Sequence, residues 1–579
     1  MTTNPILPFA PTNSNVPAIT FRLILCLAAL CSGVAGAQTL SSGGNYDGTI
    51  LLGQTNTWAF TANVGDRIVL RGAALTSTNA FEPWLRIYNP GGVLIADSGI
   101  NSSVDVEELA LTATNSGTYT VLITDTDYGG FIGTGAYRLY FAQLPGTFVV
   151  PPGDEGGSLA SGGNYDGTIQ LGDLDLWSFT ANVGDRVVLR GAALTSTNAF
   201  EPWLRIYGPD GVLILDSGIN SSVDVEELDL TATNSGTFTV LMTDTDYGGF
   251  IGTGAYRLYF AQLPGTFVVP PGDEGGSLAS GGNYDGTIQL GDLDFWSFTA
   301  NTGDRVVLRG AALTSTNAFE PWLRIYDPHG VLVADSGINS SVDVEELDLT
   351  ATNSGTFTVL MTDTDYGGFI GTGTYRLYVA HLPGALVVAS GEEGGSLIAG
   401  VDSLGTIQLG DLDQWRFTAC KDNAINLQVN QLSTTNNFNP WLRLYGPNGV
   451  LIGDSGVNSS ATVAQVTVAT TNEGTFTVIV TDSAFGGFDG TGTYRLSSNG
   501  LSYGLKLCFP TFPGTNVALA EVGGVPGATF VLFTQTNIAA PAALWTPIYT
   551  NQFDSFGVGS ETNAFSRTER QRYFHLNPQ

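Results

Sequence analysis

Pro202-Trp203-Leu204-Arg205-Ile206-Tyr207-Gly208-Pro209-Asp210-Gly211-Val212-Leu213-Ile214-Leu215 reads as a strand, a turn and a second strand. Alternation with period two sends Leu204 and Ile206 to one face and Trp203, Arg205 and Tyr207 to the other. Gly208-Pro209-Asp210-Gly211 has the residues of a tight turn. Leu204 and Ile206 are therefore assigned to a core. Outward from this hairpin lie further short segments of the same kind. Gly167–Leu171 precedes Leu176–Thr180, in which Trp177 and Phe179 share a core face. Gly184-Asp185 turns into Arg186–Arg190, and Val225–Ala232, Thr237–Met242 and Ala255–Phe260 follow. About eight short strands with regular turns and no helical period predict a β-sandwich or jelly roll.

The same grammar occurs four times. Gly48, Gly167, Gly286 and Gly405 open equivalent segments spaced by 119 residues, without insertion or deletion between them. The copies at 158–276 and 277–395 differ at only about 14 positions. A period this long is a domain rather than a solenoid unit, whose periods run about 20–50 residues. The expected fold class is all-β, with four jelly-roll-like sandwiches in tandem and a small C-terminal β-module. The expected divisions are 38–157, 158–276, 277–395, a divergent 396–505 and the module at 506–579. Linkers such as Leu144–Gly157 combine a double proline with glycines, which predicts beads on a short, semi-rigid string.

Composition narrows the function. There are 53 acidic against 21 basic residues, a net charge of −32, and only two lysines, Lys421 and Lys506. Nucleic-acid binding needs the opposite sign, and anionic membrane surfaces are disfavoured for the same reason. An acidic surface instead attracts cations such as Ca²⁺. Residues 1–37 read as an export signal: Arg22, an apolar run from Leu23 to Leu30, then Ala35-Gly36-Ala37. The run is too short to span a bilayer, and no other stretch is expected to span one. The expected location is secreted or at the cell surface. Once the signal is removed, Cys420 and Cys508 remain, either as a disulfide or as two buried thiols.

Several motifs in order carry a family resemblance. They are Gly172-Asp173-Leu174-Asp175 through Trp177-Ser178-Phe179-Thr180 to Gly184-Asp185, then Trp203–Leu213, Ser235–Val240, and Gly254 with Tyr256-Arg257-Leu258. This order resembles the bacterial pre-peptidase C-terminal domain, and the resemblance extends over all four copies. It implies a jelly-roll-like sandwich, export, accessory binding and sometimes Ca²⁺, without catalysis. No peptidase domain lies beside the repeats in this chain. The tail, with Gly524–Leu532, Trp545-Thr546-Pro547 and Phe574-His575-Leu576, resembles a small β-module found at the C-termini of exported bacterial proteins.

Three clusters stand out as sites. Asp244 and Asp246 lie two apart in a glycine-rich loop, repeated as Asp125 with Asp127 and Asp363 with Asp365. Such a loop either offers hard oxygens to Ca²⁺ or is an Asx-stabilised connection. Trp203, Arg205 and Tyr207 recur as Trp84, Arg86 and Tyr88 and as Trp322, Arg324 and Tyr326. That stripe is either a platform for a glycan or matrix protein or a half-buried packing stripe. Asp224-Val225-Glu226-Glu227 suits a paired-carboxylate hydrolase or, better, a solvated edge strand guarded by charge. His329, His381 and His575 do not recur between copies, so no triad is expected. The sequence therefore reads as an exported, non-catalytic adhesion or binding protein. The alternative is a spacer array stabilised by Ca²⁺ with no other ligand.

Overall fold

The computed structural model describes residues 38–579 except 101–104, 127–129, 219–223, 246–248, 339–342, 365–367, 399, 459, 484–486, 500–505, 509–515, 523–526, 554–558, 567–571 and 579. The segment read as a signal, 1–37, lies outside them, as do Asp127, Asp246 and Asp365. The chain divides into two compact units, Met1–Gln143 and Leu144–Gln579.

The first repeat sets the pattern. Its strands are β1 (Gln38–Thr39), β2 (Gly44–Ile50), β3 (Thr55–Ala62), β4 (Arg67–Ala74), β5 (Pro83–Tyr88), β6 (Leu94–Asp97), β7 (Val106–Thr112), β8 (Gly117–Asp125) and β9 (Gly135–Leu144). They form a five-stranded sheet in the order β1-β3-β8-β5-β6 and a four-stranded sheet in the order β2-β9-β4-β7. β1 pairs with β3 in parallel, and β2–β9, β3–β8, β4–β7, β5–β6 and β5–β8 are antiparallel. The non-sequential order is that of a jelly-roll-like sandwich, as expected. Trp58, Phe60, Leu70, Leu85, Ile87 and Leu139 fill the space between the sheets. The indole Nε1 of Trp58 donates to the Tyr137 hydroxyl at 2.9 Å, so neither polar atom is left bare in the core.

Repeats two, three and four each form the same two sheets. Each has its own core, around Trp177 and Leu204, Trp296 and Leu323, and Trp415 and Leu442. Their first strands, Gly156–Ser158, Gly275–Ser277 and Gly394–Ser396, begin two residues before the divisions read from the sequence. The tail adds two three-stranded sheets, Lys506–Leu507 with Asn516–Val522 and Gly559–Ser566, and Thr546–Gln552 with Thr529–Gln535 and Tyr573–Pro578. Cys420 and Cys508 are joined as a disulfide, which ties the turn after Asp413–Ala419 to this tail. No helix among the described residues is long and apolar enough to cross a membrane.

One expectation fails inside the second unit. Repeats two, three and four are not beads on a string, because they pack face to face. Val188, Ala192, Tyr259 and Leu263 of repeat two share one apolar cluster with Leu293, Phe295, Trp322, Tyr326 and Leu360 of repeat three. A matching cluster joins Val307, Ala311, Tyr378 and Leu382 to Leu412, Tyr445 and Ile479. The linkers are built in as well. Val268 N–H donates to Ser161 O at 2.8 Å, and the rings of Phe267 and Phe295 lie 5.3 Å apart. The sequence missed this because linker composition reports backbone stiffness, not the apolar faces on either side.

A buried ion-pair network crosses each interface. Arg190 Nε donates to Glu227 Oε2 at 2.6 Å, and Arg324 of the next repeat approaches the same carboxylate at 3.4 Å. Arg309, Glu346 and Arg443 repeat the arrangement at 2.7 and 3.0 Å. Arg190 also reaches Thr362 Oγ1 across the interface and stacks on the Phe369 ring at 3.9 Å. This corrects the reading of Asp224–Glu227 as a solvated edge. The strand does lie at a sheet edge, but Glu227 is sealed between two arginines. Burial alone would raise its carboxyl; Arg190 and Arg324 outweigh that and hold it down at about 2, as Arg309 and Arg443 do for Glu346. Replacing Glu346 by Gln strands two arginines, and unpairing a buried charge costs roughly 3–5 kcal/mol. Denaturant unfolding of Glu346→Gln is expected to show that loss in the transition of repeats three and four. Replacing Arg309, Glu346 and Arg443 together by apolar residues of similar volume is expected to recover most of it.

Candidate metal centre

The glycine-rich-loop aspartates are placed as backbone clamps. Asp244 Oδ1 accepts from Glu201 N–H at 3.0 Å and Oδ2 accepts from Gly252 N–H at 2.7 Å. Asp125 and Asp363 do the same with Glu82 and Gly133 and with Glu320 and Gly371. The glycine is required here: a Cβ on Gly252 would stand 2.4 Å from Asp244 Oδ1. This is the geometry of the Asx-stabilised connection.

The acid groups that do converge lie elsewhere, where each linker meets the repeat after it. Among the described residues three clusters hold carboxylate oxygens within 4.8 Å of one another: Asp154 with Asp173 and Asp175, Asp273 with Asp292 and Asp294, and Glu392 with Asp411 and Asp413. The first member comes from the linker. The other two come from the turn and strand opening of the next repeat, the Gly-Asp-x-Asp run quoted above for the family resemblance.

Local structure positions each group. Asp173 caps its own turn, accepting from Gln170 N–H at 3.1 Å and Leu174 N–H at 2.9 Å. Asp175 opens a core strand, so its side chain points inward. Its Oδ2 accepts from the Tyr256 hydroxyl at 2.6 Å, and that hydroxyl takes the Trp177 indole N–H at 3.1 Å. Oδ1 of Asp175 is buried without a hydrogen-bond partner, and the same holds for Asp294 and Asp413. In the second junction Asn164 of repeat two donates to Asp273 at 3.0 Å, so two repeats and their linker meet at one place. Around the third, Asn283, Glu392, Glu393, Asp411 and Asp413 line a small pocket.

Buried like charges held close together have their usual consequence, even with Arg376 4.0 Å from Glu392. Burial, with Asp154 adding repulsion, pushes Asp173 up to about 7; Asp292 and Asp411 reach about 7 for the same reasons, with Asp273 and Glu392 as neighbours. Burial raises Asp175, Asp294 and Asp413 well above the ordinary carboxylate range, reinforced by the adjacent aspartate in each case. An all-oxygen set with an unpartnered buried carboxylate oxygen is the chemistry a hard divalent cation satisfies. These residues fit Ca²⁺. Bound there, the ion would neutralise the cluster and tie linker to repeat.

Repeat one provides an internal comparison. Gln54 and Asn56 stand where the later repeats have Asp173 and Asp175. The local bonds persist without the charge: Gln54 Oε1 accepts from Leu51 N–H at 3.2 Å, and Asn56 Nδ2 donates to Tyr137 Oη at 3.0 Å.

The aromatic and arginine stripe has two fates. Trp203, Arg205, Tyr207, Trp322, Arg324 and Tyr326 are buried; Trp84, Arg86 and Tyr88 are half exposed. The histidines bring no nucleophile together. His381 Nε2 lies 2.9 Å from Asp304, where Gln262 bonds Asp185 in the preceding copy, and His329 sits in an exposed turn.

No family model matches the chain, and no curated protein matches it. Among solved structures it is similar to the pre-peptidase C-terminal domain of a Bacillus anthracis collagenase. Identity there is 16%, with 18% of this chain and 95% of that one covered and a TM-score of 0.15. It is also similar to the CUB1-EGF-CUB2 domains of rat MASP-1, at 9% identity, 39% and 100% coverage and a TM-score of 0.13. At these values neither bears on function, and the fold rests on the strand pairing above.

The acid clusters and the interface glutamates respond to pH in opposite directions. For Asp173, Asp292 and Asp411 the folded value of about 7 exceeds the unfolded one, so the folded state holds protons that the unfolded chain releases. Without divalent cation, stability is expected to fall as pH rises from about 4 to 7, by about 1.4 kcal/mol per pH unit for each group. For Glu227 and Glu346, held at about 2, stability is present above 4.5 and lost as pH falls toward 2. Melting in chelator is therefore expected to peak at about pH 4 to 5, and a flat profile from pH 5 to 8 would contradict the clusters as described.

Proposed function

We propose that the chain is a non-catalytic, exported array of repeats like pre-peptidase C-terminal domains, in which Ca²⁺ at the junctions locks each linker onto the following repeat. The carrying observation is the unpartnered buried Oδ1 of Asp175, Asp294 and Asp413, each inside a three-carboxylate cluster. Six of the nine stripe residues are buried, so adhesion through identical, repeated aromatic platforms loses its support. The spacer reading gains it. Calcium is abundant outside cells, and the Cys420–Cys508 disulfide suits the same oxidising surroundings. In this role the protein holds its ends at a fixed separation when Ca²⁺ is present and loosens at the linkers when it is removed.

Calorimetry and melting of the full chain test this. Millimolar Ca²⁺ is expected to raise the melting temperature at pH 7.5, with about three ions bound per chain, one for each cluster. Asp294→Asn removes charge as repeat one does naturally, and is expected to abolish one binding event and part of the shift. Unchanged melting and no bound ion at that concentration would reject the cation. Changing Asp244 to Asn is expected to destabilise its loop without altering the number of ions bound.

A further inference from the structure

The interfaces inside the second unit have two unlike faces. One, the Arg–Glu face, carries Arg309, Glu346, Val307, Ala311 and Tyr378 on repeat three. The other receives it, with Trp441, Arg443 and Tyr445 on repeat four accepting Glu346. A face that pairs with a different face extends head to tail and does not close on itself. Each end of such an array must therefore present one unpaired face or change its chemistry.

The C-terminal end has changed. In repeat four the positions of Arg309, Glu346, Val307, Ala311 and Tyr378 hold Gln428, Gln465, Asn426, Asn430 and Ser497. All five are at least partly exposed, whereas Val307, Ala311 and Tyr378 are buried. A polar outer face on a terminal repeat is how tandem arrays stop themselves from extending.

Repeat one has not been changed in the same way. Trp84, Arg86, Tyr88 and Phe131 are retained. Arg86 lies over the Trp84 ring at 4.1 Å, and the indole N–H is fixed on Asp97 at 2.7 Å. Arg324, Trp322 and Asp335 have the same arrangement while holding Glu227. Among the described residues Arg86 has no carboxylate partner, and its Nε makes no hydrogen bond. Phe131 is 38% exposed, whereas its counterpart Phe369, under Arg190, is 8% exposed. Burial in β5 shows the same difference. It alternates in repeat one and is continuous in the identical Pro-Trp-Leu-Arg-Ile-Tyr strands of repeats two and three.

What repeat one lacks is also informative. Leu293 and Phe295, which pack with the incoming linker at Phe267, are replaced by Thr55 and Thr57. The part that serves a covalently attached predecessor has gone, and the part that receives a glutamate remains. We propose that the Trp84–Arg86–Tyr88–Phe131 face of repeat one is a docking site, in trans, for the Arg–Glu face of a β-sandwich repeat carried by another protein. Tryptophan, tyrosine and arginine are the residues that dominate such interfaces. The chain's own repeat four does not qualify as occupant, since it has lost the glutamate and its arginine.

The test supplies the missing face on the full chain. A variant with Asn426→Val, Gln428→Arg, Gln465→Glu and Ser497→Tyr carries four of these five repeat-three residues on repeat four. In sedimentation velocity the wild type is expected to remain at one mass. The variant is expected to associate with rising concentration into dimers and longer species, and Arg86→Ala in the variant is expected to return it to the single mass. If the fourfold variant loses its circular dichroism, Gln428→Arg with Gln465→Glu alone is measured in the same way. A folded variant that stays at one mass overturns the proposal, and so does association that survives Arg86→Ala. Wild-type chains that associate through Arg86 would make a native second copy the occupant, which also overturns it.

Discussion

The second unit depends on one glutamate held between two arginines of different repeats. Glu227 keeps only 12% of its side chain exposed, Arg190 belongs to its own sheet and Arg324 to the next repeat. Desolvating three charged groups is expensive, and the pair is maintained only because Arg190 also reaches Thr362 and the Phe369 ring while Arg324 lies on Trp322. An interface of this kind is selective more than it is strong. A neighbour without the carboxylate leaves two buried cations, and a neighbour without the arginine leaves Glu227 with Arg190 alone. The apolar cluster around Tyr259 and Leu360 supplies the area, and the ion network fixes which face meets which.

The linker carboxylates follow from that docking. Once two repeats are held together, the linker between them is confined, and Asp273 is brought against Asp292 and Asp294. In an extended, freely hinged linker the same acids would separate and stay solvated. Face-to-face packing therefore brings like charges together, and a divalent cation, as proposed, would relieve that repulsion. The two devices lie in sequence along the chain: arginine and glutamate join the repeats, and in the proposed role the acid cluster would make the linker conformation conditional on an ion.

The strands were legible because alternation and turn residues report burial on the inner face, and Trp177, Phe179, Leu204 and Ile206 sit in the core as expected. The outward stripe was not legible for a physical reason. Alternation states which residues share a face, not what covers that face, and one hexapeptide is half exposed in repeat one and buried in repeats two and three. The sequence reading put the candidate cation site on the Asp-x-Asp pair of the glycine-rich loop, whereas the carboxylates that converge are those of the Gly-Asp-x-Asp run and the linker. Asp244 is spent on backbone N–H groups, while Asp173 and Asp175 lie beside the linker. The chain held a signal that separates them. Repeat one keeps Asp125 but has amides at both 54 and 56. Acids that disappear together belong to one site, and those that persist alone are structural.

Near-identity among the repeats thus conceals three different electrostatic situations. Repeat one has the arginine stripe without the acid cluster, repeats two and three have both, and repeat four has the cluster and the arginine but has lost the glutamate that would bind a successor. Each of these changes lies on a face whose neighbour differs. Selection on a binding platform would act alike on all copies, because every platform would see the same ligand. Selection on neighbours acts position by position, and only that pattern is found in Gln54, Asn56, Gln428 and Gln465. The order of the repeats is therefore part of the design, and permuting them would place an arginine–glutamate face against water at one end and a pair of threonines against a linker in the middle.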